Sequence, residues 1–235
     1  MRIAIAAALL ALAACRAETA PVKPELFVMT SLPLLFDEGF TAGPATGEAA
    51  VFLREHYTLR PIDLPSQLPK GAVLLAAQPR ALPAEELVAL DAWVRGGGKM
   101  LLLADPMLEW PSERPLGDRL RAPIQYADTG LLLHWGLRLD TPDRTFFDRY
   151  GIRRSIKVGD FVAADSDPGT LHKVKDGGCV IEADGAIARC SIGKGRATII
   201  ADADFLNVGD GEVKPGNGDN LPFLLSELAR LSEFH

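Results

Sequence analysis

The chain has 235 residues, 48% apolar and 24% charged, which fits one globular domain or one domain with a small addition. This composition excludes disordered, collagen-like and coiled-coil chains. Its 25 basic and 31 acidic residues give a net charge of −6 with no basic block, which argues against a nucleic-acid partner. Three cysteines are too few for a disulfide scaffold, and no Cys-x-x-Cys or His-x-x-x-His spacing suggests structural zinc.

Residues 1–14 are a charged start followed by an unbroken Ile/Ala/Leu run, with the layout and length of a secretory signal and too short to span a bilayer. The run ends Leu12-Ala13-Ala14-Cys15, which resembles the lipobox of bacterial lipoproteins. That resemblance implies that Cys15 is lipidated and becomes the first residue of a chain anchored in the cell envelope and facing the periplasm. Residues 15–25, with Pro21 and Pro24, then read as the lipidated cysteine and a tether. Arg16 after the cysteine tilts the expectation toward the outer membrane, although both membranes stay open.

The domain expected over 26–235 alternates short apolar runs with helical patterns, as a parallel sheet covered by helices requires. Strands are predicted at Leu26–Thr30, Tyr57–Ile62, Ala72–Ala77 and Met100–Ala104, with a helix over Gly47–His56. A second helix has Pro83 in its first turn, Leu87, Leu90 and Val94 on one face and Gly96-Gly97-Gly98 as its stop. Further along, Thr129–Leu137 is predicted helical, Ser155–Ala163 a strand and Ala197–Ala201 a buried strand. Asn220 opens a last helix whose Leu221, Leu224, Leu225, Leu228 and Leu231 form a core stripe.

Asp184-Gly185 is a type I′ hairpin signal, and counting outward from it places Cys179 opposite Cys190. A cross-strand disulfide is therefore expected in an oxidising periplasm, the alternative being two free buried thiols. A two-residue loop would make 179 and 190 a hydrogen-bonded pair, whose wider Cα separation is the less usual setting for such a bond.

Two stretches carry a family resemblance. Leu90-Asp91-Ala92-Trp93-Val94-Arg95-Gly96-Gly97-Gly98-Lys99 through Met100–Pro106 resembles the helix, glycine turn and strand of auxiliary proteins of ABC transporters typified by the gliding-motility component. Gly193–Arg196, Ala201–Leu206 and Asp219-Asn220-Leu221 are similar to the C-terminal part of the same families, which include a related domain of unknown function. The resemblance implies a flavodoxin-like, class I glutamine-amidotransferase-like α/β fold, usually non-catalytic and serving a membrane transport complex.

An amidotransferase needs a cysteine on the sharp turn after a central strand. Here that turn reads Ala104-Asp105-Pro106-Met107, with neither cysteine nor serine, and no Gly-x-Ser-x-Gly occurs elsewhere. The polar residues expected at strand ends, where open α/β sheets bind ligands, are Thr30, Ser31, Asp105, Asp202 and Asp204. One reading takes the three aspartates as hard oxygen ligands or water activators of a metal-dependent hydrolase. The other takes Asp105 as a turn former before Pro106 and Asp202 and Asp204 as caps on loop backbone.

Other polar segments carry weaker signals. Gly209–Asp219 departs from the calcium-loop pattern and reads as a solvated turn, and Gly193-Lys194-Gly195-Arg196 lacks Walker spacing and reads as a tight hairpin turn. His134 shows no carboxylate partner by spacing, and His56 and His172 fit no pattern. The expectation is a non-enzymatic, periplasm-facing lipoprotein that serves an ABC-type transport system as an accessory or ligand-binding subunit. It needs no cofactor, and its partners are the membrane through its anchor, transporter subunits and a possible small ligand. The alternative is the metal-dependent hydrolase.

Overall fold

Alternation of burial along each apolar run decides the architecture. In Val73–Ala77 and Lys99–Leu103, successive side chains enter two different cores: Leu75, Leu101 and Leu103 in one, Leu74, Met100 and Leu102 in the other. A strand buried on both faces has no polar face to show, and so these runs read as continuously apolar. The computed structural model describes residues 22–39, 43–142, 155–163, 167–208 and 219–233.

The elements are β1 (Glu25–Thr30), α1 (Glu48–His56), β2 (Thr58–Pro61), β3 (Val73–Ala77), α2 (Ala84–Arg95), β4 (Lys99–Leu103), α3 (Leu131–His134), β5 (Leu137–Asp140), β6 (Ile156–Val158), β7 (Phe161–Ala163), β8 (Thr170–Lys173), β9 (Cys179–Glu182), β10 (Ile187–Ile192), β11 (Gly195–Ile200) and α4 (Asn220–Glu233). A seven-stranded sheet runs β2-β1-β3-β4-β11-β10-β9. Its first five strands are parallel, and β10 and β9 add an antiparallel edge. β5 pairs with β8 and β6 with β7 in separate two-stranded ribbons. α2 packs Leu90 and Val94 into one core, while α1 and α4 pack Leu53, Phe223, Leu224, Leu228 and Leu231 into the other. The chain is thus a mixed α/β domain around a mostly parallel sheet with helices on both faces.

Several expectations need correction. Pro83 is the residue before α2, not part of its first turn. Thr129–Leu137 is not one helix: only Leu131–His134 is helical, between Gly130 at φ +113 and Gly136 at φ +86. At Gly136 a Cβ would also lie 2.6 Å from the Lys175 carbonyl, so chain reversal and close approach both require glycine, and Leu137 leaves as β5. Ser155–Ala163 is a hairpin, with β6 and β7 joined through Gly159 at φ +58 and Val158 facing Phe161. Glu25, placed in the tether by sequence, already pairs with Thr58 in the sheet.

The Asp184-Gly185 hairpin forms with the counted register, Cys190 opposite Cys179, and a disulfide joins them. Its hydrogen-bond parity is the opposite of that expected. Ala183 also takes a positive φ of 50°, so Ala183–Ala186 leave the ladder and the strand pairing begins at Glu182 and Ile187. Ser191 N–H donates to the Gly178 carbonyl at 2.9 Å, which makes 178 and 191 a bonded pair and 179 and 190 a non-bonded pair. Their Cα atoms are accordingly only 3.9 Å apart.

The Gly193-Lys194-Gly195-Arg196 turn joins β10 to β11, as expected. It also packs on the end of α2: Lys194 N–H donates to the Arg95 carbonyl at 2.9 Å, and a Cβ at Gly195 would meet the Val94 carbonyl at 1.9 Å. The glycines serve helix-to-sheet packing. The signal segment, Cys15 and residues 209–218 of the acidic loop lie outside the described residues.

Candidate functional site

Because β1, β3, β4 and β11 are parallel, their carboxyl ends share one edge, and the five strand-end residues expected from sequence all lie along it. The structure divides them into two groups. Asp105, Asp202 and Asp204 hold backbone, while Thr30 and Ser31 line a cleft.

Asp105 follows β4 and is buried. Its Oδ1 accepts Met107 N–H at 2.7 Å and its Oδ2 accepts Ala203 N–H at 2.9 Å, so it shapes its own turn and ties it to the segment after β11. Burial pushes its carboxyl up to about 6; the N–H groups of Ala203, Met107 and Asp204 pull the other way, and the Glu109 charge adds to the rise. Asp202 Oδ1 accepts Phe205 N–H at 3.2 Å, and both oxygens of Asp204 accept Glu109 N–H, at 3.0 and 2.9 Å. β11 ends at Ile200 and a 3₁₀ turn starts at Asp204, so the two late carboxylates do not share the face of a continuing strand. Among the described residues, no group of three or more His, Cys, Asp or Glu side chains is placed to hold a metal ion.

Gln78, absent from the sequence reading, is the centre of this edge. It is buried at φ +45, immediately after β3. Its Nε2 donates to the carbonyls of Asp105 at 3.1 Å and Pro123 at 3.0 Å, and its Oε1 accepts Asp105 N–H at 2.9 Å. The available signal was a glutamine directly after a strand buried on both faces, where a polar side chain must find partners inside.

The cleft has a volume of about 370 Å³ and lies where the sheet order reverses, between β1 and β3. In an open parallel sheet, two neighbouring strands whose connections leave on opposite faces open a crevice at this point. Thr30 and Ser31 form its floor, Pro61 and Ile62 its β2 side, and Arg80 its β3 side. The far wall is the irregular stretch between β4 and α3, which contributes Trp110, Arg119, Leu120, Arg121 and Ile124. Thr30 Oγ1 donates to the Ala77 carbonyl at 2.9 Å and Ser31 Oγ to the Gln78 carbonyl, so both hydroxyls also clamp β1 to β3. The sequence reading passed over the wall segment, although an unstructured run of that length inside a compact domain is itself a functional signal.

The histidines are more engaged than spacing indicated. His134 Nε2 lies 3.7 Å from Asp91 Oδ2, and the same carboxylate accepts Trp135 Nε1 at 2.7 Å and pairs with Arg95. Partial burial pushes Asp91 up, but Arg95 and Trp135 outweigh it and hold the carboxyl below its ordinary value. His172 Nε2 lies 3.2 Å from Asp140 Oδ2.

Comparison with known proteins gives three results. No curated protein matches the chain. Solved structures similar to it include an exo-β-1,4-mannosidase from Opitutaceae bacterium strain TAV5 (14% identity, TM-score 0.47, 90% of this chain and 35% of that one). They also include a β-galactosidase from Rahnella sp. R3 (11%, 0.44, 89% and 32%) and a cytoplasmic protein from Salmonella typhimurium LT2 (12%, 0.46, 88% and 99%). The chain spans about a third of the length of the two glycosidases. The third result is a family model described as an ABC-type uncharacterized transport system, which matches residues 23–164. That span is more than half of the chain and holds β1 to β7, every cleft wall named above and the first of the two resembling stretches; the second lies beyond it. The chain belongs to this family, the ABC-type uncharacterized transport system.

Proposed function

We propose that the protein is a non-enzymatic accessory subunit of an ABC-type transport system, lipid-anchored through Cys15 and facing the periplasm, with a flavodoxin-like, amidotransferase-like domain that binds a small ligand. The family match over residues 23–164 carries this reading, since it spans the whole cleft. Supporting the absence of catalysis, the turn after β4 presents Asp105 with both oxygens on backbone N–H groups, and Cys179 and Cys190 are joined to each other. The hydrolase alternative has less support, because each of its three carboxylates accepts loop N–H groups.

The test is crosslinking of the native protein in its own membranes, followed by purification and mass spectrometry. Recovery of ABC permease or ATPase subunits is expected, and their absence overturns the transport role. Anchoring is tested by Cys15→Ser, which should abolish acyl labelling and release the protein from the membrane fraction.

A further inference from the structure

We infer that the cleft at the β1/β3 reversal binds a small amphipathic organic anion, a carboxylate on an apolar body, with Arg80 and Arg119 taking the charge and Phe36 and Trp110 the body. This rests on the ligand-binding part of the reading above, and names the ligand class.

The volume of about 370 Å³ suits a molecule of a dozen or so heavy atoms. The charge argument comes from what the wall residues already bind. Arg80 Nη2 donates to the Arg121 carbonyl at 2.7 Å, and Arg121 Nη1 donates to the Arg114 carbonyl. These contacts position guanidinium groups without neutralising them. Among the described residues, none of Arg80, Arg119 and Arg121 forms an ion pair. The wall acids Asp37 and Glu38 are likewise held by neutral groups: Asp37 accepts Thr46 N–H at 3.0 Å and the Thr46 hydroxyl at 3.3 Å, and Glu38 accepts the Ser112 hydroxyl and Glu113 N–H. Asp63, on the β2 side, is the one wall carboxylate with no such bond among the described residues.

Directly after Ser31 the loop offers few N–H groups to an anion. Leu32 N–H is taken by Thr30 Oγ1 and Leu34 N–H by the Leu32 carbonyl, while Pro33 has none. Both hydroxyls of Thr30 and Ser31 donate across to β3. Charge recognition therefore falls to the arginine fork, whose planar donors match a carboxylate. Around it the cleft exposes apolar surface that a free ion would leave unused: Phe36 is 58% exposed, Leu120 49% and Ile124 51%, beside the half-buried Trp110. An anion with an apolar body satisfies both sets.

The test is isothermal titration calorimetry on the full chain, purified from its own membranes into zwitterionic nanodiscs, with empty nanodiscs as blank. The probes are 1-naphthylacetate, its neutral amide 1-naphthylacetamide, and acetate. One saturable site for 1-naphthylacetate is expected, with the amide and acetate each at least tenfold weaker. Arg119→Gln, whose side chain makes no bond among the described residues that the fold needs, should weaken 1-naphthylacetate about tenfold at an unchanged melting temperature. Phe36→Ser should also weaken it, and Asp63→Asn, which removes a like charge, should bind at least as tightly.

Equal binding of acid and amide overturns the proposal, as do equal binding of acetate, an unchanged Arg119→Gln, weakening by Asp63→Asn, or no binding of 1-naphthylacetate at all. Failure here with transporter subunits recovered by crosslinking would leave the accessory role standing. Binding without those subunits would do the reverse.

Discussion

Asp105 looks like a catalytic carboxylate on paper, placed after a central strand and before a proline, yet its oxygens are committed to the N–H groups of Met107 and Ala203. Asp105→Ala leaves those donors buried without an acceptor, and a loss of about 2–4 kcal/mol in urea unfolding is expected. The pH dependence follows from its carboxyl being raised from 3.8 to about 6. The native state then holds the proton more tightly than the unfolded chain, so this group's contribution is fully present below 3.8 and is lost as pH rises through about 6. Wild type should therefore lose up to about 3 kcal/mol across that window relative to Asp105→Asn, measured as unfolding free energy against pH. Gln78→Leu removes three bonds to backbone at once and should cost about 2–4 kcal/mol, which a melting curve would read.

At the scale of elements, the β9–β10 hairpin shows how much a turn can change without moving the register. Local chemistry at Asp184-Gly185 sets the pairing of Cys179 with Cys190, but Ala183 joins the left-handed turn and shifts which pairs are hydrogen-bonded. A Cβ at Gly185 would meet Thr170 Cγ2 at 2.6 Å, so the turn is packed against β8, a neighbour that no local pattern reveals. The disulfide closes a separation of 11 residues, and reduction should cost about 2–3 kcal/mol, read as a lower melting temperature in dithiothreitol that Cys179→Ala/Cys190→Ala reproduces without reductant. The long irregular segment after β4 is the opposite case: it has no periodicity to read, and its Arg119 and Trp110 come to line a cleft only because the chain folds over the end of β1.

For the whole molecule, the antiparallel edge is locked to the C-terminal helix by one ion pair. Arg189 on β10 binds Glu227 on α4 through Nη1 and Nη2, with Nη2 to Oε1 at 2.9 Å, and Glu227 has no solvent exposure. Glu227→Ala removes the buried half of this pairing and leaves Arg189 with Glu182 alone, whose carboxylate its Nε meets at 3.0 Å, and should cost about 1.5–3 kcal/mol, whereas Arg189→Met/Glu227→Leu should recover part of it. A denaturant series on the three proteins checks this. Glu227 stands one residue before Leu228 of the leucine stripe of α4, and only its Arg189 partner on the sheet explains an acid with no solvent exposure there.

The sequence by itself determined the strands and helices of the parallel core, the glycines that stop α2 and turn the two C-terminal hairpins, the facing cysteines and the family, because these depend on periodicity and on contacts a few residues apart. It also placed Thr30 and Ser31 at the strand ends, where they line the cleft. Only the tertiary structure decided that Asp105, Asp202 and Asp204 hold backbone, that Gln78 joins three strand ends, and that arginines from 80 to 121 converge on one crevice. A carboxylate's role depends on which donor reaches it first. In this fold those donors come from segments up to 98 residues away, a distance over which a linear pattern carries no information.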